Sequence, residues 1–188
     1  MRCCRLITLA TLAGCVLLAS QTTLVGQNKD DKPSTQIIYV PTPQPVVDKM
    51  LDMVKVTDKD VVYDLGCGDG RVVATAAKKF GAKGVGIDID PERIKDSNKT
   101  VKEFGVEKLV EVRQGDALNV RDLEKATVVA LYMLDDFMEK LEPIAQKRLP
   151  KGARLVTHDF KFPNWKAEEV IEFQGPDRPH TLYRYLVK

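Results

Sequence analysis

Aspartates and glycines at the ends of predicted strands are the residues of this sequence best placed to do chemistry. In residues 60–71, Asp-Val-Val-Tyr-Asp-Leu-Gly-Cys-Gly-Asp-Gly-Arg, an apolar strand runs into glycines at positions 66, 68 and 70. Glycine has no Cβ, so the backbone can approach a ligand closely, and the helix that follows points its N-terminus at the same place. Asp88 ends the next predicted strand roughly twenty residues later, where nucleotide-binding units hold ribose hydroxyls. The pattern predicts a site for a ligand that contains a nucleoside.

The elements that would position these residues alternate between short apolar strands and helices with a 3.6-residue period. Alternation of this kind predicts an α/β fold with a parallel sheet, and the close spacing of the last two strands predicts an antiparallel pair at the C-terminus. Asp135 or Asp136 is expected to cap the last helix, and Pro143 to interrupt it. The predicted strands cover residues 61–65, 84–88, 109–114, 127–132, 154–158, 168–174 and 181–187, and the predicted helices cover 45–54, 71–80, 91–104, 120–124 and 135–149.

Three motifs resemble those of class I S-adenosylmethionine-dependent methyltransferases. Residues 64–70, Asp-Leu-Gly-Cys-Gly-Asp-Gly, resemble the first motif, residues 86–90, Gly-Ile-Asp-Ile-Asp, the second, and Gly115-Asp116-Ala117 the acidic position that contacts adenine. The likeness spans about residues 37–188. It implies a Rossmann-like class I methyltransferase fold: a mostly parallel seven-stranded sheet with a C-terminal antiparallel strand pair and helices on both faces.

The resemblance also implies S-adenosylmethionine as the cofactor. The three glycines would line its methionine end, Asp64 would accept from its ammonium, Asp88 from its ribose hydroxyls and Asp116 from its adenine amino group. Dinucleotide enzymes prefer a G-x-G-x-x-G spacing, so the G-x-G-x-G found here favours the methyl donor. The cofactor-binding residues predicted in this way are Asp64, Gly66, Cys67, Gly68, Gly70, Asp88, Ile89, Asp116, Ala117 and Tyr132.

The residues that could act on a methyl acceptor are harder to identify. Tyr132 ends a strand, where open α/β sheets bind ligands, although a core aromatic would look the same. His158 is either a general base or a structural residue, and His180, in a proline-rich turn, is expected at the surface. Cys67 is interpreted as a small turn residue rather than a nucleophile. With two histidines in the sequence and one cysteine after the leader, no metal site is expected, and no catalytic residue is assigned.

The segment that enters the domain, Tyr39-Val40-Pro41-Thr42-Pro43, is extended because of its prolines. It is either a stiff entry segment or a lid whose Tyr39 or Thr42 touches the cofactor. Together with residues 64–71, 152–156 and 162–165 it is similar to small bacterial methyltransferases and to the mitochondrial lysine methyltransferases that modify the ATP synthase c-subunit and the adenine nucleotide carrier. The resemblance implies a protein-lysine acceptor.

Three alternative functions stay open at this point: a small-molecule methyltransferase, an NAD(P)-dependent Rossmann reductase and a non-catalytic S-adenosylmethionine-binding protein. A nucleic-acid partner is not expected, because 29 Lys and Arg residues face 27 Asp and Glu residues, for a net charge of +2. Base-methylating enzymes also carry Asn/Asp-Pro-Pro-Tyr after the fourth strand, where this chain has Leu131-Tyr132-Met133-Leu134-Asp135.

The N-terminal residues are organised like a leader. Residues 1–27 contain Arg2 and Arg5 followed by the uncharged run 6–19, which suits a signal peptide or membrane anchor, and Leu12-Ala13-Gly14-Cys15 matches a lipoprotein box. Residues 28–36 form a polar linker, and residues 37–188 form the domain. We expect an exported or membrane-anchored protein, with membrane association through the leader. The cytoplasmic face stays open as an alternative because the methyl donor is made in the cytoplasm.

Overall fold

The computed structural model describes residues 39–188, and the predicted leader and linker lie outside this range. The helices are α1 (Gln44–Met53), α2 (Arg71–Phe80), α3 (Pro91–Phe104) and α4 (Asp135–Arg148). The strands are β1 (Val61–Leu65), β2 (Lys83–Asp88), β3 (Val110–Gln114), β4 (Val128–Leu131), β5 (Arg154–His158), β6 (Glu169–Gln174) and β7 (Pro179–Leu186). A single 3-10 turn, Leu123–Lys125, stands where a short helix was predicted over 120–124. Across the described residues, no helix is long and apolar enough to span a bilayer.

The strands form one sheet in the order β3-β2-β1-β4-β5-β7-β6. The first five strands pair in parallel, whereas β7 lies antiparallel to both β5 and β6. This arrangement confirms the predicted mostly parallel sheet of seven strands with an antiparallel C-terminal pair. The chain reverses its direction of strand addition between β1 and β4, and ligands of open α/β sheets bind at such a switch point, outside the carboxyl ends of the strands.

Helices cover both faces of the sheet, as predicted. On one face, Met50 and Leu51 of α1 and Val72 of α2 form a cluster with Val62 of β1, while α2 and α3 pack around Val73 and Val101. The other face is covered by α4, whose Met138 and Leu141 join the cluster that contains Tyr63 and Leu65 of β1. Because successive side chains of β1 point to opposite faces, a single apolar strand supplies both cores.

At the amino edge of the sheet, Asp60 ties three strands together. Its carboxylate accepts hydrogen bonds from the Thr127 hydroxyl (2.7 Å), from Thr57 and from Arg154, which also donates to the Val54 carbonyl (2.7 Å). These bonds hold the starts of β1, β4 and β5 in register, far from the ends where the predicted site lies.

The start of α4 differs from the prediction. Leu134 is the N-cap residue, in extended conformation, and Asp135 and Asp136 lie in the first turn without any side-chain capping bond. In the first turn, their negative carboxylates interact favourably with the positive end of the helix dipole instead. The helix continues through Pro143 to Arg148, so the proline does not end it.

Candidate active site at the carboxyl edge of the sheet

The turn after β1 is a loop that only glycine-rich sequence can form. Gly66, Gly68 and Gly70 have φ angles of 86°, 55° and 75°, in the left-handed region where a Cβ is strained. The amides of Gly66 and Cys67 both donate to the Ile87 carbonyl, at 2.8 and 2.9 Å, which ties the loop to the end of β2. The loop therefore places buried or half-buried glycine backbone at the carboxyl ends of β1 and β2.

Asp64 is the buried acid below this loop. It is 5% exposed, and none of the side-chain hydrogen bonds among residues 39–188 involves its carboxylate. Burial, together with the charges of Asp88 and Asp69, raises the pKa of Asp64 well above its usual value. A carboxyl group in this state gains most from a cation, because a positive partner would restore its ionised form.

Asp88 links the loop to β2. One carboxylate oxygen accepts from the Gly68 amide (2.9 Å) and the other from the Asp90 amide (3.0 Å). These bonds fix both oxygens at the end of the strand while leaving a lone pair on each for a further donor. Ile89 follows and is 61% exposed, so its side chain is available to cover a ligand at this edge.

Asp116 lies after β3, on the same edge, and is exposed. Its oxygens accept from the Leu118 amide (2.9 Å) and from the Asn119 side chain (2.5 Å), which close the turn, while the next residue, Ala117, is buried. The structure thus brings Asp64, Asp88 and Asp116 to the carboxyl ends of three adjacent strands. Their individual contacts with a donor stay predictions.

The entry segment lies over the glycine loop. The Tyr39 ring covers Gly68, where a Cβ would overlap it, and the Arg93 guanidinium sits 4.6 Å from the ring centroid. Arg71 donates to the Thr42 carbonyl (2.9 Å) and pairs with Asp69 through the same guanidinium (2.5 Å). The segment is therefore fastened to the predicted donor site, as the lid interpretation requires.

Sequence reasoning missed Met133. A Cβ on Gly66 would stand 2.6 Å from the Met133 sulfur, so the side chain after β4 closes the other side of the loop. Only the position of Met133 directly after a buried strand could have signalled this. Cys67 behaves as predicted for a turn residue: it is buried beside Ser97, and burial raises the pKa of its thiol, which disfavours the nucleophilic thiolate.

Beyond the switch point, two histidines meet in the core. Nε2 of His158 lies 2.7 Å from Nδ1 of His180, and the Tyr132 ring packs at 4.0 Å from the His158 ring. The prediction that His180 lies at the surface is wrong: it is 1% exposed, because it begins β7, which is paired with β5 on one side and β6 on the other. The proline and glycine residues of the preceding turn indicated a surface loop, so the burial of His180 was not predicted.

Asp159 stands beside these rings. Its φ of 60° is unusual for a residue other than glycine, and its carboxylate accepts from the Arg178 guanidinium (2.5 Å) and the Thr181 amide (2.9 Å). His158, Asp159 and His180 have potential ligand atoms within 4.8 Å of one another, a spacing that a metal ion could use. The sequence did not indicate this cluster, because its members converge only through sheet pairing.

The family model described as the ANTKMT methyltransferase domain matches residues 64–169, more than half of the chain. The chain belongs to this methyltransferase family. Over 150 residues it is 41% identical to a protein-lysine N-methyltransferase of Saccharolobus islandicus, a match that covers 79% of this chain and 92% of that protein. It is 30% identical to the ATP synthase c-subunit lysine N-methyltransferase of Xenopus laevis over 147 residues, covering 78% of this chain and 62% of that protein.

A solved structure extends the comparison. The RNA methyltransferase from Salinibacter ruber, in complex with S-adenosyl-L-homocysteine, is 47% identical, with a TM-score of 0.74 over 79% of this chain and 94% of that one. The methyltransferase described here uses S-adenosylmethionine, and the nicotinamide reductase considered from the sequence is set aside.

The residues present fit this cofactor. The carboxyl of Asp64 makes none of the side-chain hydrogen bonds among residues 39–188 and suits an ammonium group, and the Asp88 oxygens suit hydroxyl donors. The glycine loop lies at the same edge, with the side chains of Tyr39 and Met133 against it. When bound, S-adenosylmethionine supplies an electrophilic methyl group. The protein's own part is to hold donor and acceptor in line and to exclude water, which can lower much of the barrier without a strong base.

Proposed function

We propose that this methyltransferase modifies the side-chain nitrogen of a lysine in a protein. The observation that carries the proposal is the charge of the carboxyl edge of the sheet. Exposed acids follow β2, β3 and β4 and lie in the turn before β7: Asp90, Asp116, Asp135, Asp136 and Asp177. A rim of this charge attracts an ammonium group and concentrates it near the site.

The cations of the same edge are largely neutralised by their neighbours. Arg71 pairs with Asp69 (2.5 Å), Arg93 with Asp96 (3.0 Å) and Arg178 with Asp159 (2.5 Å). Lys161, after β5, is an exposed lysine at this edge. Among residues 39–188, exposed acids at this edge therefore outnumber unpaired cations, although Arg93 also approaches Asp90 (3.8 Å), and this excess favours a cationic residue over a phosphate.

RNA is a second candidate, because the 47% identical protein from Salinibacter ruber is described as an RNA methyltransferase. RNA binding draws most of its affinity from basic residues that contact phosphates. The acidic rim, the near-neutral net charge and the absence of Asn/Asp-Pro-Pro-Tyr after β4 all favour protein over RNA. The names of the Saccharolobus and Xenopus relatives point the same way.

The deciding experiment labels a cell extract of the source organism with S-adenosylmethionine that carries a tritiated methyl group. After the reaction, one half of the extract is treated with ribonuclease and the other with protease. We expect label in protein only, resistant to ribonuclease, with methyl-lysine after acid hydrolysis. Label that survives protease and is lost with ribonuclease would establish RNA instead, and label in neither polymer would favour a small molecule.

We further propose that residues 1–27 direct the protein to the membrane or beyond it. The support is the run of uncharged residues after Arg2 and Arg5 and the Leu-Ala-Gly-Cys box that ends at Cys15. Mass spectrometry of the protein purified from its own cells tests the proposal. A shortened N-terminus is expected, with added lipid mass if Cys15 becomes the first residue, and an intact Met1 would exclude processing.

A further inference from the structure

A chain of hydrogen bonds runs through the half of the site that the donor residues do not occupy. Thr42 Oγ1 lies 3.1 Å from Nδ1 of His158, Nε2 of His158 lies 2.7 Å from Nδ1 of His180, and Nε2 of His180 lies 3.0 Å from a carboxylate oxygen of Asp177. The first three members are buried, and Asp177 is 57% exposed. This series of hydrogen bonds thus leads to solvent from the entry segment, which lies over the donor loop.

The donor and the acceptor of each hydrogen bond can be assigned by starting from Asp177, the exposed member. Its hydrogen bond with His180 lowers the pKa of Asp177, so it is an ionised acceptor and Nε2 of His180 carries the proton. In a neutral ring Nδ1 of His180 then accepts, so Nε2 of His158 must donate. Nδ1 of His158 is left as an acceptor, and the Thr42 hydroxyl donates to it.

The charged side chains around His158 are compatible with these donor and acceptor assignments. Asp159 approaches Nε2 of His158 to 3.3 Å, but its oxygens already accept from Arg178 and Thr181. Burial lowers the pKa of His158 from 6.5 to about 4, with smaller and opposing effects from Asp159, His180, Arg178 and Asp177. His158 is therefore a neutral ring near pH 7, with one donor and one acceptor nitrogen.

We propose that Thr42 holds the acceptor amine, and that His158, His180 and Asp177 are positioning residues that fix the direction of its hydroxyl. The proposal rests on the proposed function, in that the acceptor is a nitrogen. Because the Thr42 hydroxyl proton points at His158, the lone pairs of the Thr42 oxygen face away from His158. That hydroxyl makes no other hydrogen bond in the described part of the protein, so it can accept an N–H group and leave the nitrogen lone pair free.

Thr42 is suitably placed for this task. Its carbonyl is bound to Arg71 of the donor loop, and Tyr39 of the same segment covers Gly68. Thr42 thus joins the donor loop to the histidine chain at the switch point. The orienting role of Asp177 follows the logic by which an aspartate sets the histidine tautomer in a hydrolase triad.

The first test is nitrogen NMR of the full chain labelled with ¹⁵N-histidine. The sequence contains only two histidines, so only two ring systems appear, and a His180→Gln variant assigns them. We expect a neutral His158 ring near pH 7, a proton on Nε2 of each ring, and a coupling between the two rings. A proton on Nδ1 of His158 would overturn the proposal, because Thr42 would then accept from the ring.

The same spectra test the metal alternative. Stoichiometric metal in the purified protein, removed by a chelator with a shift of both ring signals, would show that the cluster is a metal site and would overturn the proposal. These spectra need neither donor nor acceptor, so they are independent of the proposed function, whose own failure would appear in the labelling experiment.

The second test measures methyl transfer to the protein fraction of the extract by single and double variants. We expect Thr42→Val to slow transfer about tenfold or more, with unchanged affinity for S-adenosylhomocysteine, and Thr42→Ser to restore it. Asp177→Asn should slow transfer by a smaller factor, and should add nothing in the Thr42→Val background. If the rate of the double variant were reduced by the product of the two single factors, Asp177 would not act through Thr42.

Thr127→Val is the control, since it removes a half-buried threonine hydroxyl that donates to Asp60 at the opposite edge of the sheet. It should leave the transfer rate and both histidine signals unchanged. If this variant lost as much methyl-transfer activity as Thr42→Val, then removing any threonine hydroxyl of this kind would slow transfer, and the assignment of Thr42 would be overturned.

Discussion

The carboxyl edge of the sheet has two halves that differ in how their polar groups are satisfied. At β1, β2 and β3, carboxylates retain capacity for further hydrogen bonds, most clearly at Asp64, a buried acid whose carboxylate makes none of the side-chain hydrogen bonds among residues 39–188. At β4, β5 and β7, His158 and His180 are paired with Thr42, with each other and with Asp177. The first half is prepared for a charged, polar donor, whereas the second is already ordered by internal bonds.

This difference indicates which steps each half controls. A buried carboxyl group with a raised pKa regains its ionised form when a cationic ligand binds, so the first half should determine donor affinity. A satisfied network holds its members in one geometry, so the second half should affect the rate of transfer more than binding.

Replacing Asp88 by alanine should show the largest effect in the donor half. The change removes two bonds, from the Gly68 and Asp90 amides, and any bond to ribose. Hydrogen bonds to charged groups contribute roughly 1.5–3 kcal/mol each, so the affinity for S-adenosylhomocysteine should fall roughly 100-fold or more. Calorimetric titration measures this, with Asp52→Ala on the exposed side of α1 as the control. A loss below about threefold would remove Asp88 from the donor site.

Adding a methyl group at Gly68 should give the next largest loss. Gly68→Ala introduces a Cβ that overlaps the Tyr39 ring, at a φ of 55° where strain costs roughly 1–2 kcal/mol. We expect donor affinity to fall about tenfold or more.

The double variant Tyr39→Ala/Gly68→Ala separates the two causes of that loss. Removing the ring relieves the overlap but not the backbone strain, so the double variant should bind the donor better than Gly68→Ala alone. Equal or weaker binding would mean that the loop conformation alone is responsible, and that the entry segment does not pack on it in solution.

The two halves also differ in how far the sequence could predict them. The donor half depends on local features, namely glycines with positive φ and acids at strand ends, and each can be recognised within a few residues. The mostly parallel sheet was predicted from the alternation of strands and helices, whereas the order of its strands was not predicted. The histidine chain joins residues 116 and 22 positions apart, and its members meet only because β7 is antiparallel to β5.

Two predictions about local features were wrong. His180 was expected at the surface because prolines and a glycine precede it, yet strand pairing on both sides buries it. Asp135 and Asp136 were expected to cap α4, but the chain enters the helix one residue earlier, through Leu134. The first error arose because a turn signal did not reveal the strand pairing that follows it, and the second is a shift of one residue in the start of the helix.

Replacing Asp116 by alanine should have a smaller effect than the changes above. The carboxylate is exposed and already accepts from Leu118 and Asn119, so a bond to adenine would be partly solvated. We expect a loss of about 1 kcal/mol, or about fivefold in affinity for S-adenosylhomocysteine. Adenosine should show the same ratio, because the lost contact involves the base. Unchanged affinity for both ligands would exclude Asp116 from the site.

The stability of the free protein should respond to pH with opposite sign in the two halves. Burial raises the pKa of Asp64 above 3.8, so its contribution to folding is favourable below about pH 3.8 and is lost as the pH rises through the raised pKa. Burial lowers the pKa of His158 from 6.5 to about 4, so its contribution is favourable above about pH 6.5 and is lost as the pH falls towards 4. In the wild type the two trends partly cancel.

Single variants should reveal both trends in thermal melts between about pH 7 and pH 5. Asp64→Asn should be more stable than the wild type at pH 7 and should lose stability more steeply in acid. His158→Asn should start less stable but fall less steeply, because the wild-type ring forfeits about 1 kcal/mol between pH 6.5 and 5.5, or about 2–4 °C in Tm. Added S-adenosylhomocysteine should reverse the Asp64→Asn advantage by pairing with the wild-type carboxylate. Melting temperatures of the variants and the wild type that change in parallel with pH would contradict the proposed difference between a donor half prepared for a cation and a histidine half ordered by internal bonds.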